Sequence, residues 1–257
     1  MSKTSEIQDE LSYLERFEDM GILFAVEAGS RAWGFESTDS DYDIRFVYKR
    51  NVPYYLRLDK QPDTLEWRNG DLDMAGWDLG KFLRLTRDSN PSAFEWLYSP
   101  IVYREDADWD LVRRLADRCF DPVSTVWHHI GMAKSTMKTH LHGDSVPAKR
   151  YLYVVRSILA AKYAVRHFKP VPVPFVELFQ DQRLGLSDGI SDIVERLLER
   201  KRSVKEDGEC PRDAVLEGWF DSSLSGLEDE VRKYRHREKV EWSELNCVFL
   251  DALGLLP

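Results

Sequence analysis

The sequence predicts an α+β protein, with a small β-sheet and its helices in the front half and an all-helical region behind. Three observations carry this. Residues 22–48 hold two β-prone runs, Ile22–Ala28 and Ile44–Tyr48, around a polar connection containing Gly29 and Gly34. Asn69-Gly70 stands between the runs Thr64–Arg68 and Asp71–Gly76, and Asn-Gly in that setting is the strongest short-range hairpin signal. From Pro122 onward the apolar residues recur at helical spacing. Two domains are expected, 1–121 and 122–257, with no long flexible linker between them.

In chain order, Ser5-x-x-Gln8 reads as a capping box, and Ile7, Leu11, Leu14 and Phe17 follow on one helical face. Gly21 is expected to end that helix as its C′ residue. Residues 51–61 read as a surface connection broken by Pro53. Asp78 is placed to cap a helix beginning at Leu79, and Asn90-Pro91 to start another. Asp106–Phe120, Val123–His142, Ala148–His167, 188–204, 223–239 and 241–254 are the further predicted helices. Pro170, Pro172 and Pro174 mark an extended crossing. In 241–254, Trp242, Leu245, Val248, Phe249 and Leu253 make an apolar face expected to dock on the core.

The chemistry concentrates in residues 29–43. In a strand, residues i and i+2 share a face, so Asp41 and Asp43 are expected to project together with Tyr42 on the other side. Two carboxylates that close resist joint burial without a cation between them, and Mg²⁺ is a hard ion that takes oxygen ligands. Gly29 admits a positive φ and a close ligand. Ser30 offers a hydroxyl and an N–H to a phosphate oxygen.

This stretch resembles the nucleotidyltransferase signature of the DNA polymerase β superfamily, Gly-Ser, a spacer of about ten residues, then Asp-x-Asp. Here it reads Gly29-Ser30, Arg31 to Ser40, Asp41-Tyr42-Asp43. The fuller GSRAWGFESTDSDYDIRF looks like the predicted nucleotidyltransferases of the RlaP/YcgL type, as do GWDL at 76–79, NPSAFEWLYSPIVY at 90–103 and KRYLYVVRSILAA at 149–161. The resemblance covers roughly residues 22–165. It implies a small mixed β-sheet of the polymerase β palm type in 1–121 and a helical domain in 122–257 closing an NTP cleft. It also implies a third carboxylate on a later strand. Asp71, Asp73 and Asp78 are the candidates, and Asp73, mid-strand, is preferred over Asp71 beside the turn and Asp78 at the cap. Asp41 and Asp43 would bridge two Mg²⁺ ions, for which Mn²⁺ can substitute. Asp73 would hold one of them and orient or deprotonate an acceptor hydroxyl. Gly29 and Ser30 would hold the β- and γ-phosphates.

Charge supports an anionic substrate. Residues 1–125 carry 16 Lys/Arg against 25 Asp/Glu, whereas 126–170 carry eight Lys/Arg against Asp144 alone. An acidic, metal-binding half and a basic helical one suit a metal–triphosphate ligand. Lys149, Tyr153, Arg156 and Ala160 fall on one helical face. Lys149 and Arg156 are the leading triphosphate contacts, Arg150 and Lys134 the second choice, and Tyr153 either stacks on the base or packs. A plain solvated basic face is the competing reading.

Other classes find little support. The net charge of −9 argues against broad nonspecific DNA binding. The apolar runs are too short to span a bilayer and the N-terminus lacks a signal-peptide core, so no membrane partner is expected and the cytoplasm is the expected location. Cys119, Cys210 and Cys247 suit reduced thiols. His128 and His142 are roughly 21 Å apart along one predicted helix, too far for one metal. The sequence has no GxxxxGK[ST], kinase or GxSxG motif. The acceptor stays open between an RNA end, a protein hydroxyl and a small molecule, and so does the oligomeric state. Two rival readings are a noncatalytic nucleotide-sensing module and an RNA-end recognition factor using the basic runs Glu199–Lys205 and Arg232–Lys239.

Overall fold

A computed structural model of the protein describes residues 2–37, 39–107, 109–203 and 208–256. Lys205, in one of the two basic runs, lies outside them. In order the chain forms α1 (Lys3–Glu18), β1 (Met20–Glu27), α2 (Gly29–Trp33), β2 (Tyr42–Arg50), α3 (Val52–Tyr55), β3 (Thr64–Asn69) and β4 (Leu72–Asp78). Then follow α4 (Leu79–Arg87), α5 (Pro91–Leu97), β5 (Val102–Glu105), α6 (Trp109–Cys119), α7 (Pro122–His140), β6 (Ser145–Pro147) and α8 (Ala148–His167). The remainder is α9 (Phe175–Phe179), a 3₁₀ turn at Gln182–Leu184, α10 (Asp188–Ser203), β7 (Glu209–Pro211), α11 (Ala214–Val231) and α12 (Trp242–Ala252). The fold is α+β.

The chain divides into two compact units. The first comprises residues 1–32, 41–120 and 238–257, and the second comprises 33–40 and 121–237. The helix 241–254, grouped by sequence with the helical region, thus belongs with the sheet, and the spacer Trp33–Ser40 with the helices.

The first unit is built on a mixed five-stranded sheet of order β3-β4-β2-β1-β5. β1 is antiparallel to β2 and β5, β3 is antiparallel to β4, and β2 runs parallel to β4. On one face Ile7, Leu11 and Leu14 of α1 are fully buried among Ile22, Ile44, Phe46, Leu72 and Met74. Each such side chain contributes roughly 1.5–3 kcal/mol by leaving water. On the other face Trp109 stacks on Phe24 at 4.4 Å and meets Phe82 at 5.2 Å, while Trp77 stacks on Trp96 at 3.7 Å. The Asn69-Gly70 hairpin forms as expected, with Gly70 at φ +61°. α12 closes this unit. Lys49 Nζ donates to Ala252 O at 2.6 Å, and the Phe249 ring lies edge-on to Tyr55 at 5.2 Å.

The second unit centres on α7 and α8, packed together, with α8 buried along most of its length. The segment Trp33–Ser40 is held here: Trp33 is edge-on to Tyr153 at 5.3 Å, Phe35 edge-on to Phe175 at 5.5 Å, and the Ser37 and Ser40 hydroxyls are 2.9 Å apart. β6 and β7 form a small antiparallel ladder within the expected loop 143–147 and beyond it.

Several boundaries differ from expectation for local reasons. α1 begins before the anticipated capping box, because Ser2 is its N-cap and accepts the Ser5 N–H at 3.2 Å. Asp19, not Gly21, is its left-handed terminus, at φ 50°, and Gly21 already pairs with Lys49 in the sheet. The connection 51–61 contains α3, capped by Asn51. The helix expected at 223–239 runs instead from Ala214 to Val231, because Asp213 caps it through the Val215 and Leu216 N–H groups at 3.0 and 2.9 Å. Arg232–Lys239 is consequently outside any long helix.

Candidate active site

The parallel pairing of β2 with β4 sets Asp43 opposite Asp73 and Arg45 opposite Ala75. Since side chains alternate across a sheet, these four share one face, and Ile44, Phe46, Leu72 and Met74 fill the α1 side. Arg45 joins the two carboxylates: Nη2 donates to Asp43 Oδ1 at 3.0 Å and Nη1 to Asp73 Oδ1 at 2.8 Å. One guanidinium thus neutralises a pair of like charges that would otherwise repel.

Gly29 opens α2 at φ +61°, and a Cβ there would lie 2.3 Å from Asp43 Oδ2. Both the backbone and the space therefore demand glycine. The turn is tied down by Ala28 N–H donating to Asp43 O, and Asp43 N–H to Glu27 Oε1, each at 2.8 Å. Ser30 is buried in the first turn of α2.

Glu27 was not singled out from the sequence. It is fully buried, accepts the Tyr103 hydroxyl as well as the Asp43 N–H, and burial pushes its carboxyl above the usual range. The available signal was a Glu closing an otherwise apolar run directly before Ala28-Gly29-Ser30.

Asp41 immediately precedes β2. Arg68 of β3 donates to its Oδ2 at 2.7 Å, and Arg31 Nε to its carbonyl at 3.1 Å, with the Arg31 guanidinium 3.8 Å from the Tyr42 ring centre. Asp71 sits in the hairpin turn, paired with Lys3 at 2.9 Å, which lowers its carboxyl. Asp78 caps α4 through the Gly80 N–H at 2.8 Å and accepts the Tyr55 hydroxyl at 2.8 Å; burial raises its carboxyl. Of the three later carboxylates, Asp73 is the one in register with Asp43.

Among the described residues no three His, Cys, Asp or Glu side chains already converge as a metal cage. The donor chemistry nonetheless fits a hard cation. Asp43 and Asp73 are neighbouring carboxylates already drawn onto one positive group, and Mg²⁺ and Mn²⁺ take such oxygen ligands.

The basic residues singled out in the second unit have other surroundings. Arg156, a leading triphosphate contact in the sequence reading, is 5 % exposed. Its guanidinium lies 4.3 Å from the Trp33 ring centre and reaches Val173 O at 3.5 Å. Ala160, on the same face, is fully buried. Lys134 is ion-paired with Glu228 of α11, and Arg166 with Glu230, so α11 offsets part of the positive charge of 126–170. Tyr153 packs on Trp33, and Arg150 lies 5.8 Å from the Tyr153 ring centre. Lys149 is half-buried beside it at the start of α8.

The chain matches the RlaP family, described as the RNA repair pathway DNA polymerase beta family, over residues 4–251. It belongs to that family. The chain is 36 % identical over 249 residues to the uncharacterized protein YcgL of Bacillus subtilis (strain 168), covering 96 % of this chain and 95 % of the relative. A solved nucleotidyltransferase-like protein from Exiguobacterium sibiricum 255-15 aligns with 99 % of this chain and 89 % of its own at 14 % identity and a TM-score of 0.31. No helix among the described residues is long and apolar enough to cross a membrane.

Proposed function

We propose that the protein is a divalent-metal-dependent nucleotidyltransferase that moves NMP from an NTP to an acceptor hydroxyl, with release of pyrophosphate. The observation that supports this most is the in-register pair Asp43 and Asp73, with Gly29 packed against the Asp43 carboxylate. Asp43, Asp73 and Asp41 would hold Mg²⁺ or Mn²⁺, which stabilises the attacking and leaving oxygens of an in-line displacement. Gly29 and Ser30 line the phosphate side, where N–H groups at the start of α2 favour negative oxygens. Asp73, in register with Asp43, would orient the acceptor hydroxyl and accept its proton as the bond to the α-phosphorus forms. Glu27 positions Asp43 through its N–H. The family description supports RNA as the acceptor.

The test is pyrophosphate release from each NTP with Mg²⁺ or Mn²⁺ and fractionated RNA, protein and metabolites. Asp43→Asn and Asp73→Asn are expected to fold but lose transfer, while Asp71→Ala retains it. Wild-type rates in the two Asn variants would end this reading.

A further inference from the structure

The sheet register arranges the open face of the first unit in three rungs. The first is Asp43–Asp73–Arg68, the second Arg45–Ala75–Glu66 and the third Val47–Trp77–Thr64. Ala75 is the smallest side chain among these nine, and it sits in the middle rung. The result is a depression of about 630 Å³, floored by Ala75 and walled by Trp77 and by Trp96 of α5, with Asp73, Arg45 and Arg68 at its mouth. That volume suits one small organic ligand. Successive rungs are two residues apart along a strand, roughly 6.6–6.8 Å, about the length of a pentose.

The charges at the mouth are informative. Arg45 and Arg68 rest on Asp43, Asp73 and Asp41, the same carboxylates that the nucleotidyltransferase reading gives to a divalent cation. With a cation there, both guanidinium groups gain a reason to turn toward another anion, and their planar forks match phosphate oxygens. Glu66, across Ala75 from Arg45, offers an acceptor to sugar hydroxyls.

We infer that this depression is the acceptor site and that the acceptor is a sugar phosphate, its hydroxyl at Asp73 and its phosphate on Arg45 and Arg68. The inference rests on the nucleotidyltransferase reading and names the substrate class of that site. Two sources share this chemistry, a free sugar phosphate and the end of an RNA strand.

The experiment is calorimetric titration of the full chain, first with a non-hydrolysable ATP analogue and Mg²⁺, then at saturation with ribose 5-phosphate or ribose. Ribose 5-phosphate is expected to bind at least tenfold more tightly than ribose. Ala75→Leu, which fills the floor, and Arg68→Gln, which removes a fork, are each expected to weaken it tenfold or more. The affinity of Ala75→Leu for the ATP analogue is expected to stay as in the wild type. A short 5′-phosphorylated oligoribonucleotide that binds more tightly still, and loses that gain in Ala75→Leu, assigns the site to an RNA end; affinity equal to ribose 5-phosphate assigns it to a free sugar phosphate. Equal binding of ribose and ribose 5-phosphate, or wild-type ribose 5-phosphate affinity in Ala75→Leu, overturns the inference alone. Failure of the ATP analogue to bind with Mg²⁺ overturns the nucleotidyltransferase reading and this site with it.

Discussion

Gly29 shows how one residue type is fixed by two physical demands at once. Its φ of +61° is strained for any L side chain, and a Cβ would press to 2.3 Å from Asp43 Oδ2. Gly29→Ala is therefore expected to cost about 1–2 kcal/mol from the left-handed backbone alone. The displaced Asp43 carboxylate is expected to lower transfer by roughly 10²-fold, as a misplacement of about 1 Å does. Thermal melts and pyrophosphate assays on the same preparation check both. Arg45 is the complementary case. It holds Asp43 and Asp73 together, so Arg45→Met leaves two facing carboxylates without their counter-ion. The variant is expected to melt lower than wild type in EDTA and to gain more in Tm on adding Mn²⁺. The absence of any Mn²⁺ gain in both proteins would show that no cation binds between these carboxylates.

At the scale of the element, the caps of α4 and α5 were legible, whereas those of α1 and the burial of the α8 stripe were not. Asp78 before Leu79 and Asn90 before Pro91 both cap as expected, because a cap is satisfied by N–H groups two or three residues away. Asp78→Ala is expected to destabilise by about 0.5–2 kcal/mol, with transfer retained, since the Asp78 carboxyl faces Tyr55 and Gly80. A melting curve with an activity assay separates this from a catalytic effect. The face Lys149–Tyr153–Arg156–Ala160 is the opposite case. Its spacing does form one helical stripe, but Arg156 and Ala160 are buried. Periodicity identifies which residues share a side of a helix; what covers that side comes from distant parts of the chain, here Trp33 and Val173. An arginine stacked on an indole is held by cation–π attraction and packing, and such a position looks identical in sequence to a water-facing one.

At the scale of the whole molecule, the chain crosses between its two compact units more than once. Residues 238–257 return to the first unit, where Leu245, Val248 and Ala252 are buried. They are tied by Lys49 to Ala252 O, by Arg87 Nε to Val240 O at 2.9 Å and by Lys239 to Asp88 at 2.5 Å. Truncation after Arg237 strips this cover from α4 and α6 and is expected to destabilise the sheet unit, by roughly 1.5–3 kcal/mol for each large apolar side chain lost. Limited proteolysis and melting of the shortened chain measure it. A pH effect is also expected from α7. His129 is buried, and burial, with Arg156 close by, pushes its imidazole down to about 3. Below the ordinary His value of about 6.5 the unfolded chain takes up a proton that the folded one refuses, so stability falls as pH drops from 6.5 toward 3. His129→Leu is expected to flatten that slope, read as Tm against pH; an unchanged slope would show that His129 charges in the folded protein.

What the sequence determined by itself was local or periodic: the two strands around Gly29-Ser30, the Asn69-Gly70 hairpin, the caps of α4 and α5, and the Asp41-x-Asp43 spacing. These depend on neighbours within a few residues, and they suffice to state the α+β class and to name the carboxylates. Tertiary structure decided the rest. The parallel register of β2 and β4 brings Asp73 beside Asp43 from thirty residues away and sets Ala75 between Arg45 and Glu66. The burial of Glu27 against the Asp43 N–H, the stacking of Arg156 on Trp33, and the return of α12 to the sheet unit are likewise tertiary. The physical reason is that strand register and burial are set by which surfaces exclude water together, and that is a property of segments far apart in the chain.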